Sequence, residues 1–290
     1  MATAPDARTR SVPIRVRALR ARDREAALGR LRASARDDLF LMDLVRQIGA
    51  PSTADVEAEV LAAWRGDRLA GLAALRPTVV IESSPDPGAL EALLGPLSNI
   101  GTGLVRSAVD RVDPLWARLA QRGRRALVDR TEASLVLEVG AEPTPDARGG
   151  ARVRPAVASD LEPLVEAARA SLREEGRPDP FLGDPRGFRR WVGARLARAL
   201  VAEREGRVAW VGYADVRLRE GWLLQGIYTW PDARRRGLAA QGVRALCRAA
   251  FQAGADHVQL SVVDGNEPAL ALYAKLGFRP HATLRTLLFA

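Results

Sequence analysis

The chain has 290 residues, of which 47% are hydrophobic, and its formal net charge at pH 7 is +9. This length favours two domains of roughly 140 residues each over a single domain. The sequence has no run of about 18 apolar residues that could span a membrane, and its single cysteine, Cys247, excludes an internal disulfide framework. We expect a soluble, cytoplasmic protein of bacterial origin with no role at a membrane.

The positive charge is carried almost entirely by arginine, since Lys275 is the only lysine. The arginines are scattered along the chain. They form no long basic block and are not interleaved with aromatic residues, as a nucleic-acid-binding surface would require. We interpret them as solvated surface charge. A nucleic-acid-associated protein is an alternative that rests on the charge alone.

The first half of the chain alternates short strands with helices. Residues 1–13 lack apolar periodicity, which indicates a flexible tail, and the turn at residues 65–68 between two apolar runs indicates a β-hairpin. The other elements predicted within residues 14–140 are a strand at 14–18, helical sequence at 23–49, strands at 60–64, 69–75 and 79–81, a helix ending near 94, a strand at 104–109, a helix at 113–122 and strands within 126–139.

The second half repeats this alternation after a predicted linker. Residues 141–150 hold turn-forming residues without an apolar pattern. Ser159 and Glu162 have the spacing of a capping box at the start of a helix. The elements predicted within residues 151–290 are a strand at 151–155, helices at 159–174 and 187–197, strands at 201–205, 208–218 and 222–228, a helix at 239–251, a strand at 257–263, a helix after 266 and a strand at 282–289.

One segment of the second half has the features of an anion-binding site. Three consecutive arginines at 234–236 precede Gly237, and a helix with an apolar stripe begins near Ala239. The first N–H groups of a helix lack intrahelical partners, and the helix dipole places partial positive charge there. Small residues allow an anion to approach those groups closely. The sequence therefore predicts a phosphate or pyrophosphate site on residues 234–239.

Two motifs of the second half resemble the signatures of one enzyme family. Residues 234–239, Arg-x-x-Gly-x-Ala, resemble the R/Q-x-x-G-x-G/A acyl-CoA loop of the GNAT superfamily of N-acetyltransferases. Residues 266–278, Asn-x-x-Ala-x-x-x-Tyr-x-x-x-Gly-Phe, resemble the family's second signature. The first pattern alone is weak, but the two in this order and spacing are specific. The resemblance covers residues 151–290 and implies a mixed, mostly antiparallel sheet splayed around acetyl-CoA.

The resemblance also implies roles for individual residues. In the family a neutral amine attacks the thioester of acetyl-CoA directly, and the leaving thiolate benefits from a proton donor. Tyr273 matches the tyrosine that hydrogen-bonds the CoA sulfur and serves as general acid; a core aromatic residue is the alternative. Asn266 matches a position that faces the CoA arm, and it could also cap its helix. The remaining acyl-CoA contacts implied by the resemblance are Ile227, Tyr228, Thr229, Arg234, Arg235, Arg236, Gly237, Leu238 and Ala239.

The general base of the family is not evident. Many members carry a glutamate on the strand before the acyl-CoA loop, where this chain has Gln225, which cannot take up a proton. A base acting through water is one alternative. His257 and His281 have no second ligand at metal-binding spacing, so no metal site is predicted. Carboxylates that could replace the missing glutamate, each also explicable as surface charge, are Glu174, Glu175, Asp215 and Glu220.

The two halves share a sequence pattern. Residues 113–114, Asp-Pro, precede a predicted helix that ends at Gly123, and residues 267–268, Glu-Pro, precede one that ends at Gly277. The offset is the same at both ends (268 − 114 = 154 and 277 − 123 = 154). This repeat indicates an α/β (α+β) fold of two tandem GNAT-like domains, although unrelated α/β segments could share such turns.

The first half lacks the residues that the resemblance assigns to the second. The offset places Leu119 at the position of Tyr273, and residues 81–88 carry acids and prolines where a pyrophosphate needs positive charge and N–H donors. We therefore predict that residues 14–140 bind no acyl-CoA. The activity predicted for residues 151–290 is acetyl-CoA-dependent N-acetylation of an amine acceptor, and the alternative is a non-catalytic acyl-CoA-binding regulatory protein.

Overall fold

The computed structural model describes residues 12–50, 56–141 and 152–290. Most of the predicted linker at 141–150 and most of the predicted tail at 1–13 lie outside these residues. Within the described ranges, both halves of the chain alternate strands and helices in the same order, which agrees with the α/β class predicted from the sequence.

The elements of the first half follow the hydrophobic pattern. The helical sequence predicted for residues 23–49 is divided into two helices by a 3-10 turn at residues 32–34. In chain order the elements are β1 (Ile14–Ala18), α1 (Arg24–Leu31), α2 (Ala35–Gln47), β2 (Glu59–Arg65), β3 (Arg68–Arg76), β4 (Val80–Ile81), α3 (Ala89–Leu97), β5 (Gly103–Ala108), α4 (Val109–Gln121) and β6 (Ala126–Glu138).

The second half contains the corresponding series. In chain order the elements are β7 (Arg152–Pro155), α5 (Leu161–Glu174), α6 (Pro185–Gly193), β8 (Ala199–Arg204), β9 (Arg207–Arg217), β10 (Trp222–Thr229), α7 (Leu238–Gln252), β11 (His257–Val263), α8 (Glu267–Lys275) and β12 (Arg279–Phe289). The capping box predicted for Ser159 and Glu162 is wrong. Asp160 accepts a hydrogen bond from the Val157 N–H at 2.8 Å instead, in a 3-10 turn before α5.

The strands form a four-stranded sheet and an eight-stranded sheet. The first has the order β1-β2-β3-β4, and the second has the order β5-β12-β6-β11-β10-β9-β8-β7. Strand β6 of the first half lies between β11 and β12 and pairs antiparallel with both, while β12 also pairs with β5. The two halves thus exchange their last strands, and one continuous sheet contains strands of both.

Helices pack on both faces of the eight-stranded sheet because its central strands are apolar on both sides. On one face, here called the α7 face, α7 packs against Trp210 and Leu260. On the other, the α2/α5 face, α5 and α6 pack against Tyr213. Helix α2 of the first half shares that face, where it packs against Val216 and Leu223. The first half therefore covers part of the sheet that carries the predicted site.

Candidate acyl-CoA site

A fork between β10 and β11 lies at the centre of the eight-stranded sheet. The two strands run parallel and pair only where residues 222–223 meet residues 258–259. Beyond this point β10 continues to Thr229 and β11 continues to Val263 without pairing to one another. The facing backbone edges can therefore offer N–H and C=O groups to a ligand that carries amides.

A β-bulge shapes β10 at the fork. The pairing of β10 with β9 shifts register between Gln225 and Tyr228. Gly226 has φ of +56°, and a β-carbon there would lie 2.9 Å from the ring of Tyr213. Glycine is therefore required at the bulge. Ile227 and Thr229, which follow it, are partly exposed, whereas the side chain of Tyr228 is buried.

The loop after β10 leads to the exposed start of α7. Gly237 is the N-cap residue and has φ of +79°. The helical hydrogen-bond ladder begins where the Gln241 N–H donates to the Gly237 carbonyl at 3.1 Å, so the N–H groups of residues 238–240 precede the ladder. Arg235 and Arg236 are exposed beside them. This end of α7 combines N–H donors, the positive end of the dipole and cationic side chains.

Arg234 is exposed, but its guanidinium is paired with groups of the protein. Its Nε donates to the Thr229 carbonyl at 3.0 Å, and its guanidinium donates to both carboxylate oxygens of Glu174 at 2.8 and 2.7 Å. The hydroxyl of Tyr228 donates to the same carboxylate at 2.8 Å. Arg234 therefore ties the loop to β10 and to the end of α5, which the sequence alone did not predict.

Comparisons with known proteins match the part of the chain that contains this fork and loop to one family. Residues 162–278 match the family described as the Acetyltransferase (GNAT) family. These residues are a GNAT domain. No curated protein sequence matches the chain significantly.

Solved structures share the fold over both halves of the chain. A Drosophila protein has a TM-score of 0.70 at 15% identity and covers 94% of this chain and 98% of its own. A GCN5-related N-acetyltransferase from Sphaerobacter thermophilus has a TM-score of 0.61 at 17% identity and covers 95% of this chain and 95% of its own. A tandem GNAT protein from the clavulanic acid biosynthesis pathway has a TM-score of 0.57 at 14% identity and covers 96% of this chain and 97% of its own. These likenesses confirm the fold of two GNAT-like halves.

The second signature of the GNAT domain lies at the start of α8 and in the core beside it. The Asn266 side chain caps α8 by accepting a hydrogen bond from the Ala269 N–H at 3.3 Å. Tyr273 is 6% exposed and makes an edge contact with Phe278, with 5.7 Å between ring centroids. Burial and the neighbouring Cys247 raise the pKa of Tyr273 well above its usual value. Tyr273 is therefore protonated at neutral pH, as a proton donor must be, and it also fills the core.

Each carboxylate considered as a general base of the GNAT domain is paired with an arginine. The pairs are Glu174 with Arg234, Glu175 with Arg130, Asp215 with Arg195 and Glu220 with Arg32. Partial burial raises the pKa of Glu174, but hydrogen bonds from Tyr228 and Arg234 outweigh that effect and hold the pKa below its usual value. The lowered pKa of Glu174 favours its ionised form and opposes uptake of a proton from an amine.

Neither His257 nor His281 belongs to a metal site in the part of the chain that the structure describes. That part contains no group of three or more His, Cys, Asp or Glu residues that could hold a metal ion. His281 contacts Asp37 through Nε2 at 2.9 Å, and burial lowers the pKa of His257. No helix among the described residues is long and apolar enough to cross a membrane.

A polar network on the α2/α5 face was not predicted from the sequence. Arg106 of β5 donates to the Ser261 hydroxyl at 2.6 Å and to Glu132 of β6 at 3.2 Å. Arg130 of β6 also donates to Glu132 at 3.2 Å and contacts Glu175 at the end of α5 at 3.0 Å. Strand exchange brings these residues together. Apart from Arg130 and Glu132 they are far apart in the sequence, and none belongs to a recognisable motif.

Proposed function

We propose that this protein is an acetyl-CoA-dependent N-acetyltransferase whose acyl-CoA site is the fork between β10 and β11. The fork is the observation that best supports this activity. One of its strands leads directly into the loop at residues 234–237, so an extended ligand with amides and a pyrophosphate would contact both features.

Binding would use backbone groups more than side chains. The main chain of residues 227–229 would pair with the amides of the pantetheine arm. The N–H groups of residues 237–239 would bind the pyrophosphate, with Arg235 and Arg236 adding positive charge. Arg234 would act indirectly, because it holds the loop in position by its hydrogen bonds to Glu174.

The reaction would be direct transfer. The nitrogen of a neutral primary amine forms a bond to the acetyl carbon, and the carbon–sulfur bond breaks. The nitrogen loses a proton, through water if the paired carboxylates stay ionised, and the CoA thiolate gains one from Tyr273. This step needs Tyr273 protonated before transfer, as its hydroxyl is at neutral pH; the burial that raises its pKa makes it a weaker acid until the thiolate forms beside it.

Titration calorimetry with acetyl-CoA, followed by a CoA-release assay with a panel of primary amines, tests this activity. We expect saturable binding and amine-dependent release of CoA. A chain that folds but shows no acetyl-CoA binding would contradict the proposal.

A non-catalytic acyl-CoA-binding regulatory protein is the second candidate. It is favoured by one observation, the pairing of all four candidate base carboxylates with arginines. The same assays separate the two functions, because a regulatory protein would bind acetyl-CoA without releasing CoA above the rate in buffer, whichever amine is added.

A further inference from the structure

The exchanged strands bring an arginine of the first half to the edge of the fork. Ser261 stands on β11, just beyond Gln259, where pairing with β10 ends. Its side chain lies on the α2/α5 face, because it is opposite Ser134 in the pairing of β11 with β6 and shares that face with Glu132. Arg106 reaches it there at 2.6 Å.

The direction of this hydrogen bond follows from the chemistry of the two groups. A guanidinium can only donate, so the Ser261 oxygen accepts from Arg106 and keeps its own proton for another acceptor. Arg106 is 14% exposed, whereas Ser261 is partly exposed beside the fork. Among the contacts of the described residues this hydroxyl only accepts, from Arg106, so its proton is available to a molecule in the fork.

Glu132 keeps Arg106 in place and does not compete as a base. Burial raises the pKa of Glu132, but Arg106 and Arg130 outweigh that effect and hold the pKa below its usual value. The carboxylate therefore stays ionised at neutral pH and accepts from both guanidinium groups. A planar guanidinium bonded on two sides has little freedom to turn away from Ser261.

We propose that Ser261, oriented by Arg106 of the first half, is a positioning residue for the acceptor. Its O–H donates to an oxygen atom of the acceptor that lies close to the reacting amine, on the α2/α5 face of the fork. The acceptor class is therefore a primary amine with a hydrogen-bond-accepting oxygen near the amino group. This role rests on the proposed acetyl transfer and makes the first half part of the active site.

Matched amine pairs test the role of Ser261 directly. One pair is 2-methoxyethylamine and butylamine, in which an ether oxygen that can only accept replaces a methylene group; amino-acid amides with the corresponding alkylamines provide further pairs. The wild type should prefer the oxygen-bearing member in kcat/KM. Ser261→Ala should lose about tenfold toward that member, the size expected for one hydrogen bond, and little toward the other. Ser261→Thr, which keeps the hydroxyl, should retain most of the preference.

A double-mutant cycle tests whether Arg106 acts through Ser261. Arg106→Met should produce the same loss as Ser261→Ala, and the double variant should be little worse than either single one. Arg285→Met is the matched control. Arg285 is 17% exposed on the opposite face of the same sheet, where it binds Asp113 and Asp129. It should lower stability without changing the preference between paired amines.

Two results would overturn this role and leave acetyl-CoA binding intact. One is a wild-type protein that binds acetyl-CoA but turns over both members of every amine pair equally well, or turns over neither member. The other is a Ser261→Ala variant with the wild-type preference. If Arg106→Met does not fold, the Ser261 variants decide alone, since removing one oxygen from a partly exposed serine is a small change. Failure to bind acetyl-CoA would instead overturn the proposed function.

Discussion

Among single residues, Gly237 controls access to the start of α7. Its φ of +79° disfavours most side chains, but aspartate tolerates this region and is a good N-cap, so Gly237→Asp should fold. The nearest atom to an added β-carbon is Gln241 Nε2 at 3.6 Å, which leaves room for a carboxylate. That carboxylate would repel a pyrophosphate and occupy its N–H donors. We expect calorimetry to show no acetyl-CoA binding.

Gly254→Asp is the matched control for this change. Gly254 is exposed, has φ of +80° and follows the other end of α7. The same substitution there places the same charge at the same kind of backbone position, away from the predicted site. It should cost some stability and leave acetyl-CoA affinity unchanged. Equal affinity in both variants would show that the pyrophosphate does not bind at Gly237.

Tyr273→Phe separates the two roles that the sequence left open for this residue. The ring and its edge contact with Phe278 remain, and only the hydroxyl is removed. If Tyr273 protonates the thiolate, turnover should fall by roughly 10²- to 10⁴-fold with little change in acetyl-CoA affinity. Steady-state kinetics and thermal unfolding are measured on the same preparation. Normal turnover with a lowered melting temperature would assign Tyr273 to the core.

At the scale of elements, local patterns predicted the strands and helices, but not how the strands pair. Residues 14–18 form β1 as predicted because alternation is a local property. The insertion of β6 between β11 and β12 is decided by long-range packing, since it joins strands of different halves of the chain. The contact between Arg106 and Ser261 depends on that pairing, so it was equally beyond a sequence-based prediction.

Strand exchange predicts that the second half does not fold properly alone. Without β6, strands β11 and β12 each lose the partner between them, and β12 also loses β5. Unpaired strand edges promote aggregation. Residues 141–290 expressed alone should therefore be aggregated on size-exclusion chromatography, and co-expression with residues 1–140 should restore a soluble complex. A folded monomer of 141–290 with full acetyl-CoA affinity would show that β11 and β12 can pair directly.

At the scale of the whole molecule, the two halves differ at the fork: β10 and β11 separate in the second half, whereas protein groups fill the corresponding space between β4 and β5 in the first. Strands β4 and β5 approach each other through a parallel bridge between Val79 and Val105. Beyond it the Ile81 N–H donates to the Ser107 hydroxyl at 2.8 Å. In the first half, a serine side chain thus accepts a hydrogen bond from a backbone N–H beside this bridge. At the corresponding position of the second half, the backbone N–H groups of β10 and β11 have no partner on the facing strand.

The loop before α3 is also filled by the protein itself. Arg30 of α1 donates to Glu82 at 2.7 Å, to Asp86 at 3.0 Å and to the Ser84 carbonyl at 3.0 Å. Glu82 is buried, and that burial raises its pKa to about 7. Acidic groups and their arginine therefore occupy the place where residues 234–239 present exposed donors and positive charge. A pyrophosphate there would have to displace Arg30 and meet two carboxylates.

We therefore expect one acetyl-CoA site per chain, and a variant can show which half of the chain contains it. Calorimetric titration of the full chain should give one equivalent for the wild type and none for Gly237→Asp, because that substitution affects only the start of α7. A first half that retained a site would reveal itself in either experiment. Two equivalents in the wild type, or one remaining in Gly237→Asp, would contradict the closure described for β4 and β5. If the wild type binds one equivalent of acetyl-CoA and Gly237→Asp binds none, the first half contributes to the reaction only through the strands and side chains that it places beside the fork.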